Sequence, residues 1–171
     1  MCVDAGLIEV FVEIPRGSRN KYEIDKVRGV LTLDRVLYSS VHYPTDYGFV
    51  VDTLADDGDA LDALVVVDEP TFPGCHIIAR PIGVLDMQDE KGQDQKILAV
   101  PVGDPRFSSI RDLQDIDQHW LREIENFFQT YKALEDKWTD VVGWEDAAAA
   151  ARVISQAREL HARGLQSTEL P

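Results

Sequence analysis

The feature that most constrains the fold is a series of short β-rich segments between Leu7 and Pro101. The segments are LIEVFVEI, KYEID, GVLTLDRVLY, YGFVVDTL, DALVVVDE, HIIARPIGVLDM and KILAVPV. They are bounded by turn-forming Pro, Gly and Asp residues, which predicts strands joined by short connections. Many short strands with hairpin-length links favour a small barrel or closed sheet, because closure removes unpaired strand edges.

After Asp104 the pattern becomes helical, which makes the predicted fold class α+β. The first predicted helix begins at the N-cap Asp117 and has its apolar residues on one face of a 3.6-residue period. These residues are Trp120, Leu121, Ile124, Phe127, Phe128 and Tyr131. We interpret Trp120, Trp138 and Trp144 as packing anchors.

A second, alanine-rich helix is predicted from Trp144 or Glu145 to near His161, with Gly164 ending it. Its inward-facing residues are predicted to be Val153, Ile154, Ala157 and Leu160. The tail QSTELP is expected to be frayed.

Length and composition predict one domain, residues 1–171, with an ordinary globular balance of 44% hydrophobic and 28% charged residues. No apolar run approaches the roughly 20 residues of a membrane-spanning helix, and the N-terminal residues lack the features of a signal peptide. The two cysteines, Cys2 and Cys75, are too few for a disulfide framework. We therefore expect a cytoplasmic protein without a membrane partner.

The formal charge of −14 argues against nucleic acid as a partner, because a duplex is bound by surfaces rich in Lys and Arg. Excess carboxylate is tolerated where it is spread over solvated surface or where cations neutralise it. The location of the acidic residues is therefore informative.

The densest acidic run, Asp56 to Asp62, lies between two predicted strands and contains Gly58. A tight bend there would point Asp57, Asp59 and Asp62 at one centre, which suits a hard cation such as magnesium. A solvated acidic turn is the alternative. A calcium loop of the EF-hand type is disfavoured, because the flanking segments are strands and no Glu falls at its twelfth position.

A second acidic group, Asp89 to Lys96, lies in another turn between strands, and two such loops at one end of a barrel could form a site for several ions. Lys21, Arg35, Lys96 and Lys132 lie near the same strand and helix ends. Each has a purely structural interpretation, such as edge protection or helix-dipole pairing. Together with Tyr43, Tyr47 and Tyr131, they are typical of phosphoryl transfer, which needs cations and donors around developing charge.

Six segments along almost the whole chain, from Glu13 to about Ala157, carry a family resemblance. They are EIPRGSRNKYEID, LDRVLYSSVHYPTDYGF, DDGDALDALVVV, RPIGVLDMQDEKGQDQK, VPVGDPRF and FFQTYKALE. In order and spacing the sequence resembles the soluble family I inorganic pyrophosphatases of the bacterial, hexameric kind. The resemblance implies a five-stranded OB-like β-barrel with additional strands and two main C-terminal helices outside it, and a homohexamer.

The resemblance also implies roles for individual residues. The implied metal ligands are Asp57, Asp62, Asp89 and Asp94, with Glu13, Glu23 and Glu90 in support. The implied phosphate-binding groups are Lys21, Arg35, Tyr47, Lys96, Tyr131 and Lys132, with Tyr43 in the same pocket. Asp59 or Asp94 would accept the proton of the attacking water. The implied cofactor is Mg²⁺, several ions per site, with Mn²⁺ or Zn²⁺ as substitutes.

One position departs from the family pattern, because Ala60 stands where Pro or Glu is usual. Loss of Pro would loosen the acidic loop by roughly 0.4 to 1 kcal/mol through unfolded-state entropy. We expect activity to survive, with altered metal affinity.

The chemistry suggests a mechanism for pyrophosphate hydrolysis, the reaction that drives biosynthetic steps releasing pyrophosphate. Two magnesium ions bridged by Asp62 would share a water, which becomes a hydroxide and attacks phosphorus in line. Arg35, Lys132 and Tyr131 would stabilise the leaving phosphate, while Lys21, Lys96 and Tyr47 position the other end. His42 is expected on the surface or near the site.

Two other interpretations remain open at this stage. A barrel of this kind could bind an oligonucleotide or buffer divalent ions, although oligonucleotide binders need a basic groove with stacking aromatic residues. A related enzyme could cleave nucleoside triphosphates. A magnesium-dependent phosphate-release assay separates these possibilities.

Overall fold

The computed structural model describes residues 6–168. The strands are β1 (Ile8–Ile14), β2 (Asn20–Asp25), β3 (Val30–Val36), β4 (Asp46–Val50), β5 (Asp62–Val65), β6 (His76–Asp89), β7 (Gly92–Pro101) and β8 (Thr139–Asp146). The helices are α1 (Gln118–Thr130) and α2 (Ala147–Thr168), and 3₁₀ turns span Pro105–Phe107 and Leu113–Asp115. Cys2 lies outside the described residues.

Five strands form a closed ring in the order β1, β4, β5, β7 and β6, because β6 also pairs with β1. Only β5 and β7 are parallel within this ring of described strands. β8 extends the sheet outside β6, and β2 and β3 form a separate hairpin. The predicted α+β fold, a five-stranded barrel with additional strands and two helices, is confirmed.

Both faces are buried in residues 63–65 of β5 and in residues 96–100 of β7, which explains the apolar runs there. On one face, Leu64 and Leu98 belong to a core that also contains Ile124 and Phe128 of α1. On the other face, alternate residues of the same strands belong to a core with Ala150, Ile154 and Ala157 of α2. Each helix therefore covers a different face of the ring.

The prediction for α1 is confirmed. Asp117 is its N-cap and accepts a hydrogen bond from the backbone N–H of His119 at 2.9 Å. Of the predicted apolar face, Leu121, Ile124, Phe127, Phe128 and Tyr131 are buried, and Trp120 packs against the same core.

The predicted start and end of the second helix were wrong. Trp144 and Glu145 belong to β8, where Trp144 pairs with Leu85, and α2 begins only at Ala147. Asp146 accepts a hydrogen bond from the Ala149 N–H at 2.9 Å, which stabilises this start. Gly164 lies inside α2. A helix can continue through a glycine because the cost relative to alanine is only about 1 kcal/mol.

The predicted inward face of α2 is confirmed for Ile154 and Ala157, which are buried, while Val153 packs beside them. The expectation of a frayed tail was wrong for residues 166–168, whose backbone is helical, and residues 169–171 lie outside the described part of the chain. Trp138 is 54% exposed, so its assignment as a packing anchor was wrong, whereas Trp144 does pack against the core.

None of the helices formed by residues 6–168 is both long enough and apolar enough to cross a membrane.

Candidate active site

A cavity of about 780 Å³ lies where the β2–β3 hairpin, the acidic loop after β4 and the β6–β7 turn meet. Its acidic lining residues are Glu13, Glu23, Asp34, Asp57, Asp59, Asp62, Asp89, Glu90 and Asp94. Its basic lining residues are Lys21, Lys26, Arg35, Lys91, Lys96, Lys132 and Lys137. Carboxylates from two distant turns therefore share one space with cations from β2, β3, β7 and the segments that connect the elements.

Strand register explains why the central residues of the cavity meet. Asp62, the first residue of β5, pairs with Lys96 of β7, and Tyr47 of β4 pairs with Leu64. Side chains two residues apart on a strand point to the same face, so Tyr47, Asp62, Asp94 and Lys96 share one side of the ring. This is the side that α1 covers.

The Lys96 side chain is only 2% exposed and its ammonium lies between two carboxylates. Lys96 Nζ is 2.6 Å from Asp62 Oδ2, 2.8 Å from Asp94 Oδ1 and 3.3 Å from Tyr47 Oη. The hydroxyl of Tyr47 donates to Asp62 Oδ2 at 2.5 Å. The rings of Tyr47 and Phe128 lie 5.5 and 5.2 Å from the same nitrogen, which favours a cation there.

These contacts fix the protonation states at the centre of the cavity. Burial lowers the pKa of Lys96, but the charges of Asp62 and Asp94 outweigh burial, so the pKa lies above its usual value and the amine stays charged. Burial raises the pKa of Asp94 despite the nearby ammonium. Burial and the Asp62 charge raise the pKa of Tyr47, so its phenol remains a neutral donor.

A second charge cluster joins the β6–β7 turn to the end of α1. Lys132 Nζ donates to Asp89 Oδ2 at 2.9 Å and lies 3.9 Å from Glu90 Oε1. Asp89 Oδ1 accepts from the Lys91 N–H at 2.8 Å. Burial acts to raise the pKa of Asp89, but these hydrogen bonds and the Lys132 charge bring it below its usual value.

The β2–β3 hairpin carries a third cluster. Lys21 pairs in register with Arg35 and contacts Glu23 and Asp34. Arg35 Nη1 donates to Asp34 Oδ2 at 2.6 Å. Burial is the main cause that lowers the pKa of Lys21, and the adjacent guanidinium lowers it further.

Glu13 at the end of β1 ties this hairpin to the ring. Its Oε1 accepts a hydrogen bond from the backbone N–H of Ile24 at 2.9 Å. Burial raises the pKa of Glu13, and the Ile24 bond opposes that rise.

The acidic loop forms an exposed wall of the cavity. Asp57 Oδ1 accepts from the Asp59 N–H at 2.9 Å, and Gly58 between them has a φ of +86°, which favours glycine. Asp59 Oδ1 pairs with Lys26 Nζ at 2.5 Å. Ala60 also lines the cavity.

The cavity includes every residue predicted for the site except Tyr43. The roles of all these residues stay predictions. Tyr43 is buried behind the wall, with its ring centre 5.3 Å from that of Tyr47 and 4.7 Å from that of Phe127. His42 is exposed. Sequence reasoning missed Lys26 and Asp34, and only the LDR segment hinted at Asp34 beside Arg35.

The donor set suits a hard divalent cation, because the anionic lining groups are all carboxylates and such cations prefer oxygen ligands. Within residues 6–168, no three Asp, Glu, His or Cys side chains lie close enough together to enclose a metal ion. Instead, Lys96 pairs with Asp62 and Asp94, and Lys132 pairs with Asp89.

Carboxylates in this cavity face cations and phenols that can donate hydrogen bonds to phosphate oxygens, which suits an enzyme acting on phosphate compounds. Comparison with known proteins specifies the class. Residues 10–162 match the inorganic pyrophosphatase family model. The inorganic pyrophosphatase of Synechocystis sp. is 55% identical over 152 residues, which cover 89% of this chain and 90% of that protein. That of Halalkalibacterium halodurans is 54% identical over 156 residues, covering 91% of this chain and 96% of that protein.

The fold agrees with this match. The crystal structure of inorganic pyrophosphatase from Thermus thermophilus superposes with a TM-score of 0.90 at 41% identity, covering 94% of this chain and 96% of that one. The chain belongs to the family I inorganic pyrophosphatases of bacterial type, a metal-dependent family of hydrolases.

Proposed function

We propose that this cavity is where the chain hydrolyses inorganic pyrophosphate to two phosphates, using magnesium ions held by its carboxylates. The observation that carries the proposal is the meeting of the two acidic turns with Lys21, Arg35, Lys96 and Lys132 in one cavity. An inorganic anion of high charge needs such cations, and divalent metal ions need such carboxylates.

Asp57, Asp62, Asp89 and Asp94 are the proposed metal ligands, with Glu13, Glu23 and Glu90 supporting further ions or the order of the site. When bound, magnesium lowers the pKa of a coordinated water and neutralises charge on the phosphate oxygens. Manganese and zinc are proposed substitutes. Asp62 is central, because its Oδ2 already accepts hydrogen bonds from both Tyr47 and Lys96.

The basic side chains and phenols are proposed to hold the substrate. Lys21, Lys96 and Tyr47 position the phosphoryl group under attack, and Arg35, Lys132 and Tyr131 stabilise the phosphate that leaves. The neutral phenol of Tyr47 and the charged amine of Lys96 are donors in the protonation states that this role requires. Tyr43 supports Tyr47 through their ring contact.

Water attacks one phosphorus atom in line, and the bridging P–O bond breaks as the second phosphate departs. The proton of that water passes to a carboxylate oxygen of Asp59 or of Asp94. Asp59 is exposed on the loop beside Lys26, whereas Asp94 is paired with Lys96 and burial raises its pKa. Substituting each in turn, with kcat followed against pH, distinguishes the two.

We further propose that residues 1–171 act as one pyrophosphatase domain, in the cytoplasm and as a homohexamer. The family match over residues 10–162 and the low cysteine content support the first two points. Removal of pyrophosphate would draw forward the biosynthetic reactions that release it.

The test is phosphate release from pyrophosphate by the purified chain, with magnesium and with a chelator, and with ATP as a parallel substrate. We expect rapid release from pyrophosphate only when magnesium is present, and none from ATP. Tight pyrophosphate binding without release would indicate a binding module, and equal release from ATP would indicate a nucleotide hydrolase.

A further inference from the structure

Glu135 lies just outside the cavity and contacts one of its cations. Glu135 Oε2 accepts a hydrogen bond from Arg35 Nη2 at 2.9 Å, and the Glu135 side chain is only 5% exposed. Its backbone N–H donates to the carbonyl of Lys132 at 2.9 Å. The turn that carries Tyr131 and Lys132 therefore also fixes where Glu135 stands.

The Arg35 guanidinium is held from two sides. Asp34 from its own strand binds Nη1 at 2.6 Å, and Glu135 from the turn after α1 binds Nη2. Burial lowers the pKa of Arg35, but the hydrogen bonds to Glu135 and Asp34 outweigh burial and raise it. The two carboxylates thus hold a permanent cation at a defined place in the lining of the cavity that also contains Lys132.

The pair is poorly arranged for stability. Arg35 Nε and Glu135 Oε1 are both buried and neither has a hydrogen-bond partner among the described residues. Leaving a buried charged group partly unsatisfied costs folding free energy. A buried ion pair of this kind contributes little net folding stability, so its main effect is on the position of Arg35.

Arg35 also needs an anion nearby because it lies beside another cation. Lys21 is its partner across the hairpin. Burial is the largest cause that lowers the pKa of the Lys21 amine, and the Arg35 guanidinium also lowers it. Without Glu135, the repulsion between these two cations would be opposed on the Arg35 side by Asp34 alone. Arg35 would then be free to leave the position from which it faces the cavity.

We propose that Glu135 is a positioning residue for pyrophosphate hydrolysis, which joins the β2–β3 hairpin to the turn after α1 and holds the Arg35 guanidinium in place. Glu135 does not line the cavity, so it acts through Arg35 rather than on the substrate. The proposal rests on the function proposed above, in which Arg35 and Lys132 stabilise the same leaving phosphate.

The test is a double-mutant cycle between Glu135→Gln and Arg35→Ala, with kcat, KM and the thermal midpoint measured for each variant at saturating magnesium. In the Arg35→Ala variant we expect Glu135→Gln to change kcat/KM by less than about twofold, because Glu135 acts through the guanidinium that this variant lacks. Alone, it should lower kcat/KM by about 10- to 100-fold, the usual effect of losing a partner that orients a functional group. Its thermal midpoint should fall no further than that of Arg35→Ala, because Asp34 still pairs with the guanidinium when the Glu135 charge is gone.

Glu123→Gln is the matched control, because it removes the same charge from the exposed face of α1. If Glu135→Gln does not fold, Glu135→Met replaces it, since Met fills a similar volume and leaves no unsatisfied oxygen. Unchanged kcat/KM in a folded Glu135 variant, or an equal loss with and without Arg35, would overturn the proposal. Absence of hydrolysis by the unmodified chain would instead overturn the proposed function.

Discussion

At the scale of single residues, the positive charge of Lys96 allows Asp62 and Asp94 to lie close together in the cavity. Asp62 and Asp94 face each other across one ammonium, and Tyr47 adds a neutral donor. Like charges this close are otherwise costly, so the buried lysine holds the acidic side chains together in the folded chain. A divalent ion that binds these carboxylates would share them with Lys96.

The most informative single substitution is Asp62→Asn. It keeps the shape of the side chain but removes the charge that is shared by Tyr47, Lys96 and the proposed metal ions. We expect kcat at saturating magnesium to fall by about 10³-fold or more. Asp56→Asn is the matched control, because Asp56 lies in the same loop but does not line the cavity. Near-normal turnover of Asp62→Asn would refute the role of Asp62 as a shared ligand.

The hydroxyl of Tyr47 gives a second prediction at this scale. Tyr47→Phe removes one donor from Asp62 and one proposed donor to the substrate while the ring stays packed against Tyr43. We expect kcat/KM to fall by about 10²-fold with little change in the urea midpoint. An equal loss of stability and activity would mean that the ring, and not the hydroxyl, explains the effect.

Residue types and spacing predicted the acidic wall of the cavity well, because Asp-Gly turns between strands are visible in a single sequence. Asp57, Asp62, Asp89 and Asp94, which the family resemblance singled out within these two acidic runs, all line the cavity. Glu135 was missed because its partner Arg35 is distant in sequence and the pairing depends on how α1 packs. A lone Glu after a helix carries no local signal for such a contact.

At the scale of elements, the register between β1, β4, β5 and β7 sets the geometry of the site. Gly48 lies beside Tyr47, in the β1–β4 pairing, where a Cβ atom would come within 1.8 Å of the Phe11 carbonyl oxygen. The two strands approach more closely there than any side chain allows. Glycine at this position is therefore required for β4 to lie where Tyr47 reaches Asp62.

We therefore expect Gly48→Ala to destabilise the chain by about 3 kcal/mol, because the two backbones must separate. The measurement is the free energy of unfolding in urea, with phosphate release as a second readout. Gly103→Ala is the control, since a Cβ there meets no atom within 4 Å. Equal stability of the two variants would show that β1 and β4 can shift apart without cost.

Elements with clear periodicity were predictable and those without it were not. The alternating burial of β1 and the stripe of α1 follow the sequence pattern directly. β8 was missed because its exposed and partly buried residues give no clear alternation and the alanines that follow suggest a helix. Its position is fixed by pairing with β6, a long-range contact that a local pattern does not contain.

At the scale of the whole molecule, the charge of −14 makes folding sensitive to divalent ions. An ion that binds the folded cavity but not the unfolded chain stabilises by about 2.7 kcal/mol at a concentration 100 times its Kd. For a chain of this size we expect magnesium to raise the thermal midpoint by roughly 5 to 10 °C. NaCl at the same ionic strength should give a smaller rise, and Asp62→Asn should lose the difference. Equal effects of both salts would assign the stabilisation to general screening.

The central claim is that carboxylates from two distant turns hold divalent ions together opposite the phosphate-binding cations. It is tested most directly by a crystal structure of the chain with Mn²⁺, in which anomalous scattering locates the ions. We predict peaks within bonding distance of Asp62, with Asp57, Asp89 and Asp94 supplying further ligands. Peaks confined to other acidic surfaces, with the cavity between Asp62 and Asp94 still bridged only by Lys96, would contradict the account.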